Sequence, residues 1–227
     1  MSARTEPEHA SGPAVVARGV AVSIDEQPLL SAVSFTLDRG RALAVTGPNG
    51  SGKTTLLRVL AGVQPPSDGV VSVLGAVPDE RSPSFRADVA ALLGPPPLAR
   101  NLTLLEYLAL VGTSWGLQLG HAVARARDLL AELRIAALED RFGHELSSGQ
   151  GQLYALALVL ARPCTVLLLD EPEQRLDPER LELVTRALER RKDDGVTLLV
   201  ASHSPALVAR IADEQLELTE DGAGAGP

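Results

Sequence analysis

Between the apolar run Ala42-Leu43-Ala44-Val45 and the leucine-rich stretch Leu56-Leu57-Arg58-Val59-Leu60 stands Gly47-Pro48-Asn49-Gly50-Ser51-Gly52-Lys53-Thr54-Thr55. This fits the pattern G-x-x-x-x-G-K-[ST], and its place between a strand and a helix is the context that makes the pattern a phosphate site. Glycines allow successive backbone N–H groups to turn inward around phosphate oxygens, and the helix N-terminus adds positive potential. The expected cradle runs from Gly47 to Thr55. Lys53 is expected between the β- and γ-phosphates, and the Thr54 hydroxyl on Mg²⁺. A chain built around this element binds a nucleoside triphosphate and folds as an α/β layer structure.

A second signal lies downstream. Thr165-Val166-Leu167-Leu168-Leu169 is continuously apolar, the mark of a strand buried on both faces. It ends in Asp170-Glu171. A carboxylate at a strand end near a P-loop can hold Mg²⁺ directly or through water, which assigns Asp170 to the metal. The adjacent Glu171 points elsewhere and is free to activate a water.

Other segments alternate between strand and helix. Val15–Ile24, 32–37, 70–74, 87–93, 196–201 and 214–218 read as strands. Helical patterning covers 103–115, 122–135, 150–161, 178–192 and 205–211, with Thr103 and Glu106 forming a capping box. The first two of these helices look like a helical subdomain inserted in the core. Strands alternating with helices imply a mainly parallel sheet. The polar segment 1–12 and the tail Asp221–Pro227 read as disordered ends.

Composition removes several classes. The chain has 227 residues, 45% of them hydrophobic and only 3% aromatic, so a large core must be built from Leu, Val and Ala. Net charge of −8 argues against a nucleic-acid surface, which needs a basic face. The single cysteine, Cys164, forms no disulfide within the chain and fits a reducing compartment. No apolar run reaches the ~20 residues that cross a bilayer, so any membrane role requires a partner.

Taken in order, the motifs resemble the ATP-binding subunits of ABC transporters, from about Val15 to Leu218. After the P-loop comes Leu146-Ser147-Ser148-Gly149-Gln150, similar to the family signature Leu-Ser-Gly-Gly-Gln. Asp170-Glu171-Pro172 and Leu176-Asp177 follow, then Ala201-Ser202-His203-Ser204, whose histidine matches the family's switch histidine. The resemblance implies a P-loop NTPase core with an antiparallel β subdomain at the N-terminus and a helical subdomain over about 98–160, the domain spanning 13–220. It implies ATP and Mg²⁺ as ligands, Glu171 as general base and His203 on the γ-phosphate. It also implies a homodimer or heterodimer of ATP-binding subunits paired head to tail. Ser147, Ser148, Gly149, Gln150 and Asp177 of one subunit would then complete the other's site. The segment Asn101–Leu108 looks like that of exporters of the ABC-2 and haem-exporter types, whose transmembrane permease is a separate chain. A cytoplasmic subunit, peripheral on the membrane through its permease, is the expected setting.

Several positions depart from the family pattern. Gly94 stands where a glutamine usually contacts Mg²⁺ and the water, and Pro95-Pro96-Pro97 follows it. Ser148 replaces a glycine, which raises the question of backbone freedom at that position. No early aromatic is available to stack on adenine; Ile24 or Val22 occupies that region. Glu173-Gln174-Arg175 replaces small or neutral residues. These departures leave an alternative open: a degenerate ATP-binding partner that pairs with a complete sister subunit and hydrolyses little. A GTPase is excluded by the absence of an Asn-Lys-x-Asp segment. ABC ATPases that act on DNA or ribosomes are excluded by the lack of a coiled-coil insertion or a second nucleotide domain.

Overall fold

A computed structural model describes residues 12–219 and 222–225. The expected disorder of 1–12 falls almost wholly outside that range. Alternation of side chains along the buried strands determines the layers. In β6 (Val166–Asp170), Leu167 and Leu169 face one core while Val166 and Leu168 face the other. β7 (Thr197–Ala201) divides the same way, Leu198 and Val200 against Leu199 and Ala201. A strand with both faces apolar is covered on both sides.

One cover is antiparallel. β1 (Val15–Ile24) lies between β2 (Gln27–Leu37) and β4 (Asp68–Val73). Together with α1 (Lys53–Leu60), this sheet packs on β3 (Ala42–Thr46) and on one face of β6 and β7. The main sheet has the order β5-β6-β7-β3-β8-β9, with β5 (Val89–Leu92) at one edge. β8 (Glu214–Thr219) is parallel to β3, and β9 (Gly222–Ala225) is antiparallel to β8. The other cover is helical: α3 (Leu104–Ser114), α4 (Leu119–Glu132), α5 (Ser148–Leu160), α6 (Pro178–Asp193) and α7 (Pro205–Ile211). The short α2 (Pro83–Asp88) precedes β5.

The architecture is the expected α/β P-loop NTPase core with an antiparallel β subdomain, but several boundaries differ. β2 begins at Gln27, not at residue 32, because Asp25 and Glu26 take positive φ (49° and 65°) and close a two-residue hairpin. Pro28 is tolerated because β2 is an edge strand. Residues 87 and 88 belong to α2, whose Ser82 cap accepts from Phe85 N (3.4 Å), so β5 is shorter than expected. α4 ends at Glu132, and Arg134 turns at φ 53°. The tail expected to be disordered contributes β9, whose pairing runs from Thr219↔Gly222 to Leu216↔Ala225. The capping box on α3 is present: Glu106 N donates to Thr103 Oγ1 (3.2 Å) and Thr103 N to Glu106 Oε2 (2.8 Å).

Candidate nucleotide site

Register gathers the site. Val45 pairs with Ala201 and Asp170 also pairs with Ala201, so β3, β6 and β7 end level at one edge of the sheet. The loops that leave them carry the P-loop, Glu171 and His203. Ligands of open α/β sheets bind outside the carboxyl ends of the strands, which is this edge.

The P-loop needs glycine at two points. Gly47 has φ 136°, and a Cβ there would lie 2.2 Å from Leu218 O. Gly52 has φ 95°, and its Cβ would lie 2.7 Å from Leu29 O. Gly52 also starts α1 without a side-chain cap, and the first turn holds no acidic residue. The N–H groups of that turn are thus available to an anion. Inside the loop, the buried Ser51 hydroxyl has no hydrogen-bond partner. The Lys53 ammonium is buried and donates to the carbonyls of Gly47 (2.9 Å) and Pro48 (2.8 Å). Burial holds it below the usual lysine range, against the opposing pull of the Glu171 and Asp170 carboxylates.

Thr54 Oγ1 donates to Asp170 Oδ2 at 2.7 Å, so the two residues expected at the metal touch across 116 positions of sequence. A hydroxyl and a carboxylate are hard oxygen donors. Mg²⁺ is commonly held by one or two such groups, with substrate phosphates and water completing its shell. The pair therefore fits that ion. Among the described residues, no group of three or more His, Cys, Asp or Glu side chains could hold a metal. His203 Nε2 lies 3.2 Å from Glu171 Oε1. The P-loop residues Asn49, Gly50, Gly52, Lys53, Thr54 and Thr55 line a cleft of about 550 Å³ with Glu171, His203, Pro28 and Leu29. A recess of about 250 Å³ adjoins it at Thr54 and Glu171, and includes Asp170, Gly94, Gln152 and Gln174.

The signature and Asp177 lie elsewhere. Ser147 caps α5 and forms a reciprocal box with Gln150: Ser147 N donates to Gln150 Oε1 (3.0 Å) and Gln150 N to Ser147 Oγ (3.4 Å). Ser148 is the first residue of the helix, exposed and with ordinary negative φ, so the glycine expected there is not required by the backbone. Gly149 is buried beneath Arg180 and Arg175 O. Asp177 caps α6 and pairs with Arg180 (3.3 Å). Gln150, Asp177 and Arg180 line a separate hollow of about 390 Å³. None of these residues lines the P-loop cleft or its recess. Of the two positions considered for the base, Val22 is buried in the core, while Ile24 is 54% exposed. Pro28 and Leu29 reach the cleft because β2 starts at Gln27, five residues ahead of the strand that the sequence predicts from residue 32.

The fold and this edge of carboxylate, hydroxyl and glycine loop define a P-loop nucleotide-binding protein. The family described as ABC transporter matches residues 30–174. The chain belongs to that family, as an ATP-binding subunit and an ATPase. It is 35% identical to the cytochrome c biogenesis ATP-binding export protein CcmA of Xanthomonas campestris pv. campestris (strain 8004) over 214 residues, 94% of this chain and 97% of that one. It is 37% identical to the thiamine import ATP-binding protein ThiQ of Escherichia coli O157:H7 over 198 residues, 82% of this chain and 81% of the other. A solved structure described as the ATP-binding subunit of an ABC transporter superposes with a TM-score of 0.82 at 26% identity, covering 93% of this chain and 89% of that one. Among the described residues, no helix is long and apolar enough to cross a membrane.

Proposed function

We propose that two ATP-binding subunits close head to tail over two ATP molecules and drive a separate transmembrane permease from the cytoplasmic face. Each ATP lies between the P-loop of one subunit and Ser147, Ser148, Gly149 and Gln150 of the other, with Asp177 at the interface. The observation that supports this reading is that the P-loop cleft and the Gln150–Asp177 hollow are separate cavities on one chain, the arrangement that two halves of a shared site require.

Gly47 to Thr55 hold the phosphates through the backbone and Lys53, which exchanges its carbonyl partners for phosphate oxygens. Thr54 and Asp170 hold Mg²⁺, which when bound neutralises charge on the phosphates. Glu171 takes a proton from a water as its oxygen bonds to the γ-phosphorus; the bond from phosphorus to the bridging oxygen breaks, leaving ADP and phosphate. His203 lies beside Glu171 and contacts the γ-phosphate. The Thr54–Asp170 and Glu171–His203 contacts favour hydrolysis over the degenerate-partner alternative. The relatives include one protein named for export and one named for import.

The test is steady-state phosphate release with MgATP, with Glu171→Gln as the comparison. Turnover that rises more than linearly with protein concentration and vanishes in Glu171→Gln is expected. Full turnover in Glu171→Gln removes Glu171 from the role of base.

A further inference from the structure

Glu173 and Gln174 lie in the turn between β6 and α6, at positions where the family pattern has small or neutral residues. The turn is tight. Gln174 N donates to Glu171 O (3.0 Å), Leu176 N to Glu173 O (3.2 Å), and Glu171 and Arg175 have φ 47° and 65°. It returns both side chains to the residues that follow β6 and β7. Glu173 Oε1 accepts from Ser202 Oγ (2.5 Å), His203 N (2.8 Å) and Ser204 N (3.3 Å). Gln174 Nε2 donates to Glu171 Oε2 (3.1 Å), while the other carboxylate oxygen of Glu171 meets His203 Nε2. The contacts close a ring: Glu173 to His203, His203 to Glu171, Glu171 to Gln174, and Gln174 back to Glu173 through the chain.

We propose that Glu173 and Gln174 are positioning residues that clamp the Glu171–His203 pair, one through the backbone of the histidine and the other through the carboxylate. The inference rests on the reading of Glu171 and His203 as the hydrolytic pair. Both side chains stand at the cleft partly exposed, 31% and 43%, so their rotamers need an external hold. Gly94 supplies none from the recess wall: it has no side chain, and a Cβ there meets nothing within 4 Å. The Gln152 amide, on the same wall, is committed to the carbonyls of Glu171 (3.4 Å) and Pro172 (3.2 Å). The Gln174 amide is the one that reaches the carboxylate. Glu173 shows what this arrangement costs, since its Oε2 is buried without a partner. A buried, half-satisfied carboxylate is a poor choice for stability alone, and such groups call for another explanation.

The test compares Glu173→Ala, Glu173→Gln, Gln174→Ala and Gln174→Glu at equal folded fraction. Amide hydrogen exchange over 202–204 is read without nucleotide, and kcat and KM for ATP with it. Glu173→Ala is expected to speed exchange of the His203 amide and to lower kcat, each by about ten- to a hundredfold, the value of hydrogen bonds to a charged group. KM stays within about threefold, because the P-loop is untouched. Glu173→Gln keeps an acceptor and restores both readouts to within about threefold. Gln174→Glu keeps the shape but loses the donor, so its kcat falls at least as far as that of Gln174→Ala. Unchanged exchange in Glu173→Ala overturns the clamp, and so does a Gln174→Glu variant as active as the parent chain, which is the result for a side chain that only packs. The hydrolytic reading fails by a different result, full turnover in Glu171→Gln.

Discussion

Gly149→Ala separates the demands of the fold from those of the paired site. Gly149 is buried as the second residue of α5. A methyl group there would lie 2.8 Å from Arg180 Nη1 and 3.2 Å from Arg175 O. The first neighbour is the end of a flexible side chain and can swing away, giving up its contact with Asp177. The second is backbone and must yield by a few tenths of an ångström. Overpacking of this kind costs about 1–3 kcal/mol, and the low end applies because only one neighbour is rigid. Alanine returns up to about 1 kcal/mol of helix propensity. The net change is about 0–1 kcal/mol, a shift in Tm of no more than about 4 °C for a domain of this size. The functional effect is larger. If Gly149 meets the γ-phosphate of the partner's ATP, displacing that surface lowers turnover, by up to about a hundredfold for a shift of about 1 Å. ATP binding to the single chain stays unchanged, because Gly149 lines neither the cleft nor its recess. Thermal unfolding, calorimetric ATP binding, phosphate release and light scattering with ATP in a Glu171→Gln background read the four quantities. Normal turnover and pairing at an intact Tm would refute the role of the signature in trans. Loss of ATP affinity by the single chain would refute the separation of the two half-sites.

Two further outcomes follow from particular side chains. Lys53→Ala is expected to weaken ATP binding about ten- to a hundredfold, the value of hydrogen bonds between charged partners. The fold should lose little, since the hydrogen bonds of this ammonium to the Gly47 and Pro48 carbonyls are made against a burial cost; an ATP affinity within threefold of the parent chain refutes the assignment. Asp213 accepts from Ala42 N (2.8 Å) and Lys192 Nζ (2.9 Å), tying the start of β3 to the end of α6. Burial pushes its carboxyl up, but the Lys192, Ala42 and Arg41 contacts outweigh that and hold it below the usual aspartate range. A depressed folded value means that the stabilisation is fully present above the unfolded pKa of about 3.9 and is lost as pH falls through the folded value. Asp213→Asn should therefore cost about 1–3 kcal/mol near neutral pH, and the gap should close in the acid range. Urea midpoints measured against pH check this, and curves that stay parallel to low pH would rule it out.

The parts of the site that were legible in the sequence are those in which local chemistry and position in the chain coincide. Gly47 to Thr55 declare a phosphate cradle because the strand before it and the helix after it are adjacent in sequence. Asp170 declares itself because an apolar strand buried on both faces has to end before a carboxylate. His203 follows the same logic at the end of β7. What sequence could not supply is register, and register makes these three separate signals one site: Asp170 and Val45 both pair with Ala201, which brings residues 47–55, 171 and 203 to one edge. The boundaries that were missed share a cause. The hairpin at Asp25-Glu26 lacks the glycine that marks such turns. β9 is a Gly-Ala segment with no apolar alternation to read, and it is held to β8 by backbone pairing. Gly94 and Ser148 looked like losses because sequence compares each position with its own counterpart. In three dimensions, Ser148 takes a helical position that any residue can fill. Gly94 brings no amide to the recess, but Gln174, 80 residues further along the chain, lines the same recess and reaches Glu171. Apparent degeneration of one motif and apparent irregularity in another are, in this reading, a single exchange. It becomes visible only where two distant segments share a cavity.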